Sequence, residues 1–205
     1  VIDKIVTSGT FSLDGGTWEV DNNVWLVGSD SEVLVIDAAH DAGAIAEGIG
    51  GREVRAIVCT HGHNDHINAA ADLAARVNAP ILLHPADQVL WEMVYPGTPY
   101  TPLKDGQVLS AGGVELTVLH TPGHAPGAVC LHAPGLGVVF TGDTLFKGGP
   151  GATGRSFSSF ETIIKSIEER LLVLPPDTTV HTGHGESTTI GVEKPHLEEW
   201  LARGH

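Results

Sequence analysis

Four side chains able to bind a metal fall within six residues, His61-Gly62-His63-Asn64-Asp65-His66, directly after an apolar run that reads as a buried strand. A loop between strand and helix can turn all four toward one point. Gly62 permits the tight backbone that histidines at i and i+2 require. Imidazole together with carboxylate suits zinc, iron or manganese better than calcium or magnesium. Capping the Ala-rich helix that follows would need only Asn64 or Asp65, so a cap leaves the histidines unexplained.

Three later segments repeat the theme of a polar residue framed by glycine: Thr121-Pro122-Gly123-His124, Thr141-Gly142-Asp143-Thr144 and Thr182-Gly183-His184-Gly185. Each follows a strand-like run, where loops collect ligands along one edge of a sheet. Singly these are weak signals, because a His after Gly is more often part of a turn. Joined to the first cluster they define a seven-residue candidate site: His61, His63, Asp65, His66, His124, Asp143 and His184.

Short runs rich in Val, Ile and Leu predict strands over residues 24–27, 33–36, 54–59, 81–83, 107–109, 114–119, 128–132, 137–141 and 179–181. Helical spacing predicts helices over 42–49, 65–77, 85–93, 160–172 and 193–202. Strands partly alternate with helices and partly follow one another, so both crossovers and hairpins are expected in a mixed α/β fold. No repeat or linker divides the chain, and one domain spanning residues 1–205 is expected.

His-x-His-x-Asp-His followed by separate His, Asp and His positions resembles the metallo-β-lactamase superfamily across residues 61–184. The resemblance implies an αββα sandwich, two mixed β-sheets flanked by helices, with two divalent cations at one sheet edge. By that pattern His61, His63 and His124 would hold one cation. Asp65, His66 and His184 would hold the second, Asp143 would bridge both, and Asp65 would also orient. Zinc is the first expectation for both ions, with iron or manganese as alternatives. Within the superfamily, Thr-Pro-Gly-His, Thr-Gly-Asp-Thr-Leu-Phe and Gly-His-Gly look most like the glyoxalase II type of thioester hydrolase. The resemblance therefore implies cleavage of a small-molecule acyl-thiol conjugate by a hydroxide shared between the metals.

Two departures bear on the substrate. Family members continue from Gly-Gly through one residue to Gly-Arg, whereas Gly148 to Arg155 is three residues longer here. The extra helical domain that binds glutathione in longer glyoxalase II enzymes is not expected, which leaves the thiol carrier open among glutathione, mycothiol, coenzyme A and others. Lys147 and Arg155 in the long 147–159 loop are candidate contacts for an anionic carrier. The β-lactamases of the superfamily's best-known class resemble a pattern with Cys in place of Asp143 and Arg in place of His66, which argues against an antibiotic hydrolase. A mononuclear-iron persulfide dioxygenase resembles the same scaffold and is the main rival. Lactone or phosphoester hydrolysis would use the same nucleophile.

A formal charge of −14, from 25 acidic against 11 basic side chains, opposes binding to nucleic acid or anionic lipid. No run approaches a membrane span, and a cytoplasmic enzyme is expected. Cys59 and Cys130 lack metal-type spacing and are expected as buried free thiols. His40, His84, His120, His132, His181, His196 and His205 are expected to be structural, with His120 and His181 the best candidates to support ligands. Gly149-x-Gly151-x-x-Gly154 spells a dinucleotide fingerprint but joins no strand to a helix, so it reads as chance in a loop. The 91–102 stretch, with Met93, Tyr95 and Tyr100, reads as hydrophobic packing, with a second pocket wall as the alternative. Glu161 to Glu169 and Glu193 to Glu199 read as solvated helix faces.

Overall fold

Alternating burial along the strands builds two sheets that share one apolar layer. In the computed structural model, which describes residues 1–205, the first sheet contains β1 (Ile2–Leu13), β2 (Gly16–Gly28), β3 (Glu32–Ile36), β4 (Glu53–Val58), β5 (Ile81–Leu83) and β6 (Thr101–Pro102), in that spatial order. The second half supplies β7 (Val108–Ala111), β8 (Val114–His120), β9 (Val129–Ala133) and β10 (Val138–Gly142). A separate hairpin of β11 (Leu145–Phe146) and β12 (Gly149–Pro150) follows, then β13 (Thr179–Thr182) and β14 (Thr188–Thr189). The second sheet runs β14-β13-β10-β9-β8-β7. Both sheets mix parallel and antiparallel pairs.

Side chains along β3 point alternately to opposite faces. Leu34 and Ile36 join Trp25, Val27, Ala56 and Val58 in the layer between the sheets, where Leu116, Val118, Leu131 and Phe140 close it from the other side. Val33 and Val35 face outward with Val24, Leu26 and Ile57 and pack under α1 (Ala42–Ile49) and α3 (Ala70–Val77) through Ile45, Ile49 and Leu73. On the far side, Cys130 and Val139 meet Ile163 of α5 (Phe160–Ser166) and Trp200 of α7 (Leu197–Arg203). Helix, sheet, sheet and helix are thus stacked in four layers, each buried Leu, Ile or Val contributing about 1.5–3 kcal/mol.

Three predicted elements differ in outline. The single helix expected over 65–77 is two, α2 (Asn64–Ile67) and α3, because Asn68 and Ala69 leave the helix to serve other partners. The Asn68 carboxamide accepts from the His40 amide, and the Ala69 amide donates to Ala38. The helix expected from 193 starts three residues earlier as α6 (Ile190–Glu193), capped by the Thr189 hydroxyl. Most of the β1–β2 hairpin went unpredicted, since its Ser, Thr and Gly content and mixed exposure obscure the alternation. Its turn, Asp14-Gly15, has φ of 52° and 79° at its two residues, and Asp-Gly is the dipeptide such hairpin turns favour. Cys59 and Cys130 are buried free thiols. No helix is long and apolar enough to cross a membrane.

Candidate metal centre

All seven candidate residues lie beyond strand ends on one edge of the sandwich. His61 and His63 follow β4, Asp65 and His66 lie on α2, and His124, Asp143 and His184 follow β8, β10 and β13. Two glycines make the crowding feasible. Gly142 turns with φ of 52°, and a Cβ at Gly183 would come within 2.4 Å of Asp143 Oδ1.

The seven fall into two groups whose donor atoms lie within 4.8 Å of one another: His61, His63 and His124, and Asp65, His66, Asp143 and His184. His63 Nδ1 is 3.1 Å from His124 Nε2, and His66 Nε2 is 3.2 Å from His184 Nε2. Asp143 stands between the groups. Its Oδ2 is 3.5 Å from His124 Nε2 and 3.8 Å from His61 Nε2 on one side, and 3.2 Å from His66 Nε2 and 3.3 Å from His184 Nε2 on the other.

Four of the five rings are fixed by a partner at the nitrogen turned away from the cluster. His124 Nδ1–H donates to Ala152 O and His184 Nδ1–H to Asp21 O, each at 2.7 Å. His66 Nδ1–H donates to Asp37 Oδ2, also at 2.7 Å. The Thr60 hydroxyl gives its proton to Asp37, so it accepts from His61 Nδ1–H at 3.1 Å. Each ring thereby presents Nε2 inward, the arrangement in which an outer partner sets the tautomer of a metal ligand. Asn22 orients Asp65 by donating to its Oδ2 and its backbone oxygen.

Electrostatics separates the groups. Burial pushes the His61 and His63 imidazoles down, His63 to about 3, so both are neutral lone-pair donors. Burial also opposes charge on His184, but the neighbouring Asp143 carboxylate outweighs it and raises the ring to about 10. His66 is raised the same way by Asp143, Asp65 and Asp37. Burial opposes ionisation of Asp143, yet His66 and His184 hold its carboxyl well below the usual range. Buried carboxylates demand nearby positive charge, and protons on His66 and His184 supply it when no cation does.

The donor set fits divalent cations. His61 Nε2, Asp65 Oδ1 and Asp143 Oδ1 are buried with no protein partner, as is His63 Nε2. Buried polar atoms are rarely left unmet. Mixed imidazole and carboxylate suits zinc, iron or manganese.

A cavity of about 200 Å³ opens onto Asp65, His124, Asp143 and His184, walled by Phe11, Val20, Phe146, Ala152 and Arg155. A larger groove of about 590 Å³ on the β1–β2 hairpin, lined by Ser8, Thr10, Glu19 and Asp21, contains none of the seven. Arg155 lies over the Trp18 ring at 4.6 Å and the Phe11 ring at 5.5 Å. Ser156 donates through its amide and hydroxyl to Asp14, which ties the long loop to the hairpin tip. Lys147 does not line the cavity; its ammonium pairs with Glu186 at 2.6 Å on the surface.

Several supporting residues were not singled out from sequence. Asp37, Thr60 and Asn22 orient the cluster, whereas His120 and His181 do not reach it. His120 stacks on His84 and bonds to Pro126 O, and His181 packs against Trp25 and bonds to Ser187. Asp37 directly follows β3, whereas His61 lies three residues beyond the end of β4, and a lone acid at a buried strand end is the one local signal for Asp37. Glu193 departs from the solvated face predicted for it: it is 2% exposed and accepts from the Gly148 amide and the Thr188 hydroxyl, anchoring the start of the long loop. Trp91 of α4 (Gln88–Val94) packs with Tyr95 and Tyr100 as expected, whereas Met93 on the same helix is exposed.

A family model for the metallo-beta-lactamase superfamily matches residues 17–184. The hydroxyacylglutathione hydrolase GloC of Haemophilus influenzae is 33% identical over 181 residues, covering 80% of this chain and 85% of GloC. The TTHA1623 protein, solved in a di-iron-bound form, superposes with a TM-score of 0.78 at 34% identity, covering 85% of this chain and 93% of its own. ETHE1 from Myxococcus xanthus gives a TM-score of 0.72 at 25% identity, covering 94% and 83%.

Proposed function

Since the chain belongs to the metallo-β-lactamase superfamily, we propose that it is a metallo-hydrolase that cleaves a small thioester, an acyl or hydroxyacyl conjugate of an anionic thiol. The observation that carries this reading is the position of Asp143, whose Oδ2 is within 4 Å of imidazole nitrogens from both groups beside a small cavity. The likeness to a hydroxyacylglutathione hydrolase supports the substrate class.

In this reading His61, His63 and His124 hold one cation, Asp65, His66 and His184 hold a second, and Asp143 is shared. Divalent cations, when bound, supply Lewis acidity and water activation at neutral pH. The chain's own contribution is orientation and enclosure. Asp37, Thr60, Ala152 and Asp21 keep the imidazole lone pairs pointed inward. Phe11, Val20 and Phe146 give the acyl group an apolar wall and limit bulk water. Arg155, braced on Trp18, faces the cavity as the contact for an anionic carrier.

A second reading, oxidation of a persulfide at a single iron, is favoured by one detail. His61, His124 and Asp143 form a set of two imidazoles and one carboxylate, which suits non-haem iron. One experiment separates the two. The metal-loaded protein is incubated without oxygen with lactoyl and formyl conjugates of glutathione and mycothiol and with an acyl-coenzyme A, and thiol release is followed. Release is expected, and the kcat/KM ratio across carriers names the thiol. Absence of release from every conjugate, together with oxygen uptake on a persulfide in a parallel aerobic incubation, would replace the hydrolase by the oxygenase.

A further inference from the structure

Asp87 closes the short turn Pro85–Asp87 after β5 and is fully buried, yet it belongs to neither ligand group. Its Oδ2 accepts the amide of Gly62, between His61 and His63, at 2.8 Å. Its Oδ1 accepts the amide of Gly127, three residues beyond His124, at 2.5 Å. Both loops press closely on this turn: a Cβ at Gly127 would lie 2.7 Å from Asp87 N, and one at Gly62 would lie 3.3 Å from Asp87 Cβ.

No cation pairs with this carboxylate. The titratable groups that face it are His120 at the end of β8, Cys59 at the end of β4 and Tyr100 before β6. Burial raises its carboxyl to about 6, with the Gly127 and Gly62 amides working against that rise. A buried carboxylate without countercharge is costly. What it supplies in return is two acceptors on one short, rigid side chain, which no neutral side chain of that size offers, since Asn has one acceptor and one donor.

Resting on the reading that His61, His63 and His124 hold a cation, we propose that Asp87 is a positioning residue. Its carboxylate pins the His61–His63 turn to the His124 loop and sets the spacing of those three imidazoles. The second group, carried by α2 and the loops after β10 and β13, does not depend on it.

The test compares zinc retention in metal-loaded wild type, Asp87→Asn, His63→Ala and His184→Ala during dialysis against a graded chelator series. Asp87→Asn is expected to release one zinc at about 10- to 100-fold lower chelator strength, as His63→Ala does, and to keep the other. Retention like wild type, or loss matching His184→Ala, would overturn the proposal. Unchanged zinc in His63→Ala would overturn the metal assignment itself, and the proposal with it. A second measurement needs no variant: in metal-loaded wild type the Gly62 and Gly127 amide proton shifts are expected to follow one shared midpoint near pH 6. Amides that move independently, or not at all, would overturn the clamp even if Asp87→Asn failed to fold.

Discussion

Asp37 Oδ2 accepts the Nδ1–H of His66 at 2.7 Å, and the same oxygen accepts the hydroxyl of Thr60 that holds His61. One carboxylate therefore orients a ring in each candidate ligand group. Asp37 has φ of 59°, a conformation Asn also tolerates, so Asp37→Asn preserves the backbone. An amide NH₂ turned toward His66 Nδ1 would make that nitrogen an acceptor and move the proton to Nε2, blocking its lone pair. Affinity at the group containing His66 is expected to fall about 10- to 100-fold. Metal content after chelator dialysis, read beside thermal unfolding, checks this; wild-type retention would show that Asp37 does not act through His66.

Asp143 is the only carboxylate within 4 Å of imidazole nitrogens from both groups, counting His124 at 3.5 Å and His184 at 3.3 Å. Its removal strands both sides. Asp143→Ala is expected to lose one of two metal equivalents and to slow thioester cleavage by roughly 100-fold or more, the scale of removing a catalytic electrostatic group. Elemental analysis and thiol-release kinetics decide it, and full activity with two metals retained would sink the bridging role.

The fold and the seven candidate residues were legible because both rest on short-range signals. The near-continuous apolar runs Val33–Ile36 and Val54–Val58 mark strands with two buried faces, and glycine beside His124, Asp143 and His184 marks tight turns at strand ends. What escaped rests on long-range contact. Asp37 acts on His66 across 29 positions and Asn22 on Asp65 across 43. Nothing local distinguishes Asn22 from an ordinary polar residue within a strand, and Asp37 offers only the weak signal of an acid at a buried strand end. The β1–β2 hairpin escaped because much of it faces solvent, so no apolar alternation records it. Lys147 and Arg155 share one loop and one charge, and only the fold separates the residue at the cavity from the one paired with Glu186.

Proton release should distinguish the two groups. His63 is pushed down to about 3 by burial, and His61 is lowered for the same reason, so these rings carry no proton to lose at neutral pH. Burial acts on His184 too, but Asp143 raises it to about 10, and His66 is also raised. A ligand must shed its proton to bind metal. Affinity at the Asp65, His66 and His184 group is therefore expected to rise with pH up to about 10 and to weaken as pH falls, while the other group changes little across neutral pH. Calorimetric metal titration in two buffers of different ionisation enthalpy should resolve one proton-releasing event and one silent event. Equal release from both would contradict the assigned protonation.

Arg155 and Lys147 make opposite predictions for substrate binding. Arg155 lines the cavity and is held over Trp18 at 4.6 Å, with no acidic side chain in ion-pair contact, so its charge is free for a substrate carboxylate or phosphate. Lys147 already spends its charge on Glu186 and lies outside the cavity. Arg155→Ala is expected to raise KM for an anionic thioester by about fivefold with kcat little changed, the upper range for an exposed charge pair. Lys147→Ala should leave both constants near wild type. The difference should shrink as salt rises, because the contact is solvent-exposed. Steady-state kinetics at low and high ionic strength tests both, and a KM effect from Lys147→Ala with none from Arg155→Ala would move the carrier to the other end of the loop.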